Sequence, residues 1–207
     1  MQNRLINILA VLMLPWLVLT GCYKVETKYF SDAENNGLAI FSNTGNNIFT
    51  CYVNGVPWRT QDRTTGGFLS GPQSEVYLSK QSDSSLPVQI IIQWDGFFQD
   101  STFDLGWVYL YITVPANFTN RDIRSLQGKR LVIDSASGHF LAYMGALGNY
   151  NYEWGTGSIY FNKASYDTTG AGGFSGSLSG LLEADFPDFK ITGGRFDHQL
   201  TSLQVQF

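Results

Sequence analysis

The segment DGFFQDSTFDLG carries Asp95, Asp100 and Asp104, and several carboxylates on one flexible stretch are what a calcium site draws on. Their spacing departs from the D-x-D-x-D-G of an EF-hand. Aspartates also gather in turns because they bond their own backbone, so no metal is expected. Carboxylate pairs serve glycoside hydrolysis, one as acid and the other as base or nucleophile. Asp95 or Asp104 opposite Glu153 is the pair this chain offers, but no motif sets them at a working separation. The two histidines, His139 and His198, would need carboxylates to complete a zinc site. His139 alternates with Leu141 and Tyr143 and reads as half-buried in a strand; His198 follows Asp197 at a strand end. The glycine-rich TGAGGFSGS suggests a phosphate cradle, yet it lacks a lysine and runs into strand-like alternation rather than a helix. GFSGS also lacks the final glycine of a nucleophile elbow. The expectation is a protein that is not an enzyme and holds no cofactor.

Aromatic residues are the remaining chemical signal. Trp107, Tyr109 and Tyr111 share one face of WVYLYITV, while Phe97 and Phe98 lie in DGFFQDSTFD, and Tyr150, Tyr152 and Trp154 lie in GNYNYEWG. Rings bury much area at little entropic cost, so Phe97, Phe98, Tyr150, Tyr152 and Trp154 are candidate binding residues for a glycan or a protein. The same rings also suit the ends of a sandwich or the inside of a barrel. A structural envelope component without a small-molecule site, or a glycoside-acting enzyme, are the alternative readings.

The elements that must position these residues are strands. In VQIIIQW, Val88, Ile90, Ile92 and Trp94 share a face, and in WVYLYITV so do Val108, Leu110, Ile112 and Val114; such two-residue periods define half-buried strands. Further strands are predicted at 38–41, 48–53, 75–79, 130–134, 139–144, 157–162, 173–183, 189–197 and 203–207. Asn54-Gly55 suits a two-residue hairpin turn, and Pro57 marks the second arm as an edge or a short strand. Phe189 and Ile191 share a parity that Phe196 breaks, so a β-bulge is predicted at Gly193-Gly194. Gly176 and Gly180 clear space for a neighbouring aromatic. A short helix is predicted at 121–127, capped by Asn120, with Ile123 and Leu126 inward. The fold class is all-β, a single antiparallel β-sandwich or flattened barrel with one short helix.

The N-terminus speaks to location. MQNR precedes an apolar run from Leu5 to Thr20 broken by Asn7 and Pro15, the layout of a secretory signal; a spanning helix needs about 20 uninterrupted apolar residues. Leu19-Thr20-Gly21-Cys22 resembles the lipobox of bacterial lipoproteins. That resemblance implies cleavage before Cys22, a diacylglyceryl thioether on its sulfur and an acyl chain such as palmitate on its amine, a stable anchor once several chains are buried. Residues 1–21 are then a signal peptide, 22–36 a tether and 37–207 one all-β domain. Tyr23 rather than aspartate after the cysteine implies the outer membrane of a cell envelope. With Cys22 lipidated, Cys51 has no disulfide partner and is expected to be buried and inert. The formal net charge is −4, which disfavours nucleic acid, since phosphate binding draws on basic clusters.

Val53-Asn54-Gly55 with Trp58, Gly157-Ser158-Ile159, Phe174-Ser175-Gly176 and the closing Ile191-Thr192-Gly193-Gly194-Arg195-Phe196-Asp197 together resemble uncharacterised exported lipoproteins of the Bacteroidota. The resemblance implies an all-β domain at a cell envelope and brings no catalytic residues with it.

Overall fold

The computed structural model describes residues 28–60, 74–79, 88–98, 105–145, 152–167, 175–200 and 205–206. The signal segment 1–21, Cys22, Asp100, Asp104 and Tyr150 lie outside the described residues. In chain order the strands are β1 (Ile48–Val53), β2 (Val56–Thr60), β3 (Ser74–Ser79), β4 (Val88–Phe98), β5 (Leu105–Val114), β6 (Arg130–Ile133), β7 (Phe140–Gly145), β8 (Tyr152–Asp167), β9 (Ser175–Asp185), β10 (Lys190–Leu200) and β11 (Val205–Gln206).

Eight of these close a barrel. The antiparallel order β4-β2-β1-β10-β9-β8-β7-β5 returns to β4 through the β4–β5 pairing, so of the two expected architectures the closed one is observed. Closure leaves the ring itself without open edges. Two strands of the ring are interrupted rather than continuous. β2 and β3 occupy one edge of β4 in turn, Thr60 opposite Gly96 and Ser74 opposite Trp94. β6 and β7 likewise share one edge of β8, Ile133 opposite Gly157 and Leu141 opposite Gly155. The chain between Ile133 and Phe140 therefore leaves the wall and rejoins it.

Local chemistry explains the turns. Asn54 and Gly55 both take positive φ, 49° and 83°, as the tight hairpin requires. Pro57 pairs with Tyr52 but lies beyond the β2–β4 register, which begins at Trp58, so its missing amide costs no ladder bond. The register of β10 shifts against both neighbours around Gly193, whose φ is 61°, and this bulge returns Phe196 to the buried face shared with Ile191. At Gly180 an added Cβ would lie 2.6 Å from the Phe196 ring and 2.0 Å from the Tyr160 carbonyl oxygen, so the glycine does clear the space for an aromatic. The helix is a 3-10 turn over Asn120–Leu126, capped by Thr119 rather than Asn120. The Asp122 carboxylate accepts from both the Thr119 amide and hydroxyl, which draws the cap one residue earlier. Ile123 and Leu126 point into the core as expected.

The barrel interior is filled with side chains, the inverse of the polar lumen of membrane-spanning barrels. Phe49 stacks on Trp94 at 4.4 Å, and Phe161 meets Phe196 edge-on at 5.8 Å. At the end away from the helix, Phe186 and Phe189 stack at 4.3 Å, and Tyr143 meets Phe189 edge-on at 5.0 Å. Cys51 is fully enclosed, and burial pushes its thiol well above the ordinary range, which keeps it from the reactive thiolate form.

His198 departs from the expectation of a strand-end residue. β10 runs on to Leu200, so His198 sits inside the barrel, 2% exposed, and its Nε2 accepts the Trp94 indole N–H at 2.6 Å. Burial holds its pKa down to about 4, against a weaker opposing pull from Asp197. An unfolded chain takes up this proton below pH 6.5 while the folded one refuses it until about pH 4. The stability present above pH 6.5 is thus expected to fall by about 3 kcal/mol as pH drops from 6.5 to 4. Urea denaturation at pH 7, 5 and 4 checks this: His198→Gln, which keeps an acceptor for Trp94, is expected to flatten most of the slope. A shallower slope remains from half-buried His139, whose pKa is lowered in the same direction by burial.

Residues 28–36, read from sequence as part of a tether, are held against the barrel. Asp32 forms an ion pair with Arg195 of β10 at 2.5 Å, Arg59 lies 4.8 Å from the centre of the Tyr29 ring, and the Lys28 amide donates to the Asn46 carbonyl. The segment that follows wraps over Asp197, which is 2% exposed on the outer face. The Asp197 carboxylate accepts from the Ser42 hydroxyl and from the amides of Thr44, Gly45 and Asn46.

Candidate functional site

The outward face of β5 presents Trp107, Tyr109 and Tyr111, opposite Met144, Ala142 and Phe140 of β7. β7 in turn places Ala142 opposite Trp154 and Met144 opposite Tyr152 of β8. Side chains on one face of paired strands stand close enough to touch, and here they form a continuous cluster of rings. Tyr109 and Tyr111 are 6.3 Å apart, Tyr109 and Tyr152 5.9 Å, Tyr152 and Trp154 6.1 Å, Tyr111 and Trp154 6.4 Å, and Phe140 and Trp154 6.0 Å. Ala142 lies between Tyr109 and Trp154 in register and is fully buried although it faces outward. Burial, followed by neighbouring Tyr152, pushes the Tyr109 and Tyr111 hydroxyls up to about 12. They stay protonated and able to donate at any physiological pH.

Beside the rings is a depression of about 680 Å³, made where the chain between β6 and β7 leaves the wall. Tyr111, Phe140 and Trp154 form its apolar side; Gln89, Asp134, Ser135, His139 and Thr156 supply polar groups. Asp134 and His139 bridge at the base of the excursion. The Asp134 carboxylate accepts the Ser137 amide at 2.6 Å, and bonds from Ser137 hold its pKa below the usual carboxylate value. His139 Nδ1 accepts the Thr113 amide at 3.2 Å, and the Thr113 hydroxyl donates to the Gly138 carbonyl at 2.5 Å. The imidazole thereby replaces a ladder partner where β7 departs from β5.

The residues singled out from sequence divide among several places. Tyr152 and Trp154 join the cluster, 46% and 57% exposed. Phe97 and Phe98 belong to β4, not to a loop. Phe97 lies under Arg59 at 5.4 Å, and Phe98 packs against the core opposite Trp58, so neither joins the cluster and Phe98 is no exposed platform. The alternation of β4 explains this, since the strand continues past Trp94 as far as Phe98. Asp95 is buried within β4 opposite Trp107. Glu153 faces away from Tyr152 and Trp154, opposite Tyr143, so the pairing of Asp95 with Glu153 across a cleft is not formed. Among the described residues no group of three or more acidic, histidine or cysteine side chains is placed to hold a metal ion. Nor is any described helix long and apolar enough to cross a membrane.

No family model, curated protein or solved structure matches this chain. The site therefore stands on its own geometry. Sequence reading missed Phe140, Gln89, Asp134, Ser135 and Thr156; the one available signal was the turn-rich DSASG between two predicted strands, which marks an excursion without saying what it borders.

Proposed function

We propose that this protein is a lipoprotein of the cell envelope, anchored at the outer membrane through Cys22, whose barrel is a non-catalytic module binding a glycan or a protein. The carrying observation is the exposure of Tyr152 and Trp154 within a five-ring cluster beside a depression with a polar rim. Large rings left facing water cost free energy that a ligand recovers by covering them, and aromatic anchors beside polar groups are the usual composition of binding hot spots. The state of the nearest titratable groups favours binding over catalysis. Asp134 is ionised and engaged by its own turn, so it has no proton to give as an acid and its lowered pKa makes it a weak base, and His139 has one ring nitrogen committed to the Thr113 amide. General acid–base work needs a free group with a pKa near the operating pH.

A glycan array and a pull-down from envelope extract, both with the chain from Tyr23 onward, test this reading. At least one specific ligand is expected, with retention lost in Tyr152→Ala and Trp154→Ala while both variants melt as the parent does. A ligand retained equally by both variants would move the site elsewhere.

A further inference from the structure

The inclination of the rings around the depression goes beyond that reading and rests on it. Trp154 meets Tyr111 at an interplanar angle of 45° and Phe140 at 75°. A sugar ring lies best on one flat surface, whereas mutually inclined rings line a concavity. Ring faces carry the negative part of the aromatic quadrupole, so a concavity lined by several attracts a cation, above all one whose methyl groups also fill the space. The charges at the rim agree. Asp134 brings a carboxylate kept ionised by the Ser137 amide and hydroxyl, no lysine or arginine among the described residues lines the depression, and His139, with its pKa lowered by burial, is neutral at pH 7.

We propose that the depression binds a quaternary ammonium group, with Trp154, Tyr111 and Phe140 around its methyls and Asp134 as its counter-ion. A volume of about 680 Å³ exceeds such a group several-fold, so the ammonium is one end of a larger ligand that extends over Tyr152.

The test is titration of the purified full-length protein, in non-ionic detergent, with choline and with 3,3-dimethyl-1-butanol, its uncharged isostere, followed by tryptophan fluorescence. Choline is expected to bind at least about tenfold more tightly than the isostere. Asp134→Asn, which can still accept the Ser137 amide, is expected to weaken choline about tenfold and leave the isostere unchanged. Equal binding of the two probes would overturn the cation preference while leaving an apolar binding site in place. Absence of choline binding would also overturn it, whereas the wider binding reading fails only if the array and pull-down return nothing. If Asp134→Asn does not fold, the comparison of the two probes on the parent protein decides alone.

Discussion

Replacing Trp94 by alanine is expected to destabilise the barrel by about 3–5 kcal/mol, a large share of the roughly 5–15 kcal/mol that stabilises a domain. The indole is fully buried, stacked on Phe49 at 4.4 Å, and lies 5.9 Å from both Phe196 and His198. Its removal opens a cavity among rings that belong to β1 and β10 and cannot collapse without moving those strands. It also takes away the N–H that His198 Nε2 accepts. Trp94→Phe separates the two contributions, because it keeps most of the ring and loses the donor; about 1–3 kcal/mol is expected from that loss. Urea midpoints of the two variants at pH 7 measure both. A Trp94→Ala protein as stable as the parent would mean that the interior is not packed through this residue.

The second large effect is expected at Asp197. One buried carboxylate gathers a hydroxyl and three backbone amides from residues 42–46, and hydrogen bonds to a charged acceptor are each worth about 1.5–3 kcal/mol. Asp197→Ala leaves those donors facing a methyl group, and the segment can satisfy them only by lifting into water. The expected cost is about 3–5 kcal/mol, partly relieved by local release of the segment. Amide exchange distinguishes release from global unfolding: the amides of Thr44, Gly45 and Asn46 are expected to lose protection while those of β8 and β9 keep theirs. Unchanged protection at these three amides would contradict the assignment. Asp32, held below the usual carboxylate range by the Arg195 guanidinium, ties down the preceding residues from the same strand, so the two aspartates act on one covering segment.

What the sequence makes legible here follows from short-range rules. Two-residue alternation identifies β4 and β5 and sorts Tyr109 and Tyr111 to the face opposite Leu110 and Ile112. The Asn54-Gly55 turn and the bulge at Gly193 are local consequences of residues that tolerate positive φ. Long-range contacts are another matter. That His198 finds its donor in Trp94 joins positions 104 apart, and that residues 28–36 lie against the barrel depends on the Asp32–Arg195 pair, 163 positions apart. No period within either segment encodes those partners. The same limit explains the site. Tyr152 and Trp154 could be chosen as aromatics of a polar stretch, but Phe140 and Asp134 join them only because β6 and β7 are two parts of one interrupted strand along β8. Phe97 and Phe98, equally conspicuous in sequence, fall on a strand whose pairing turns one toward Arg59 and the other toward the core.

The outward aromatic face is where this protein is proposed to meet its ligand. The most direct measurement is the dissociation constant of the ligand returned by the screen for the parent protein and for Trp154→Ala. Trp154 is more than half exposed and borders both the ring cluster and the depression, so its truncation should leave the melting temperature within a few degrees of the parent. A loss of affinity of at least about thirtyfold is predicted, as for a central aromatic anchor; an unchanged dissociation constant in the folded variant would contradict the account.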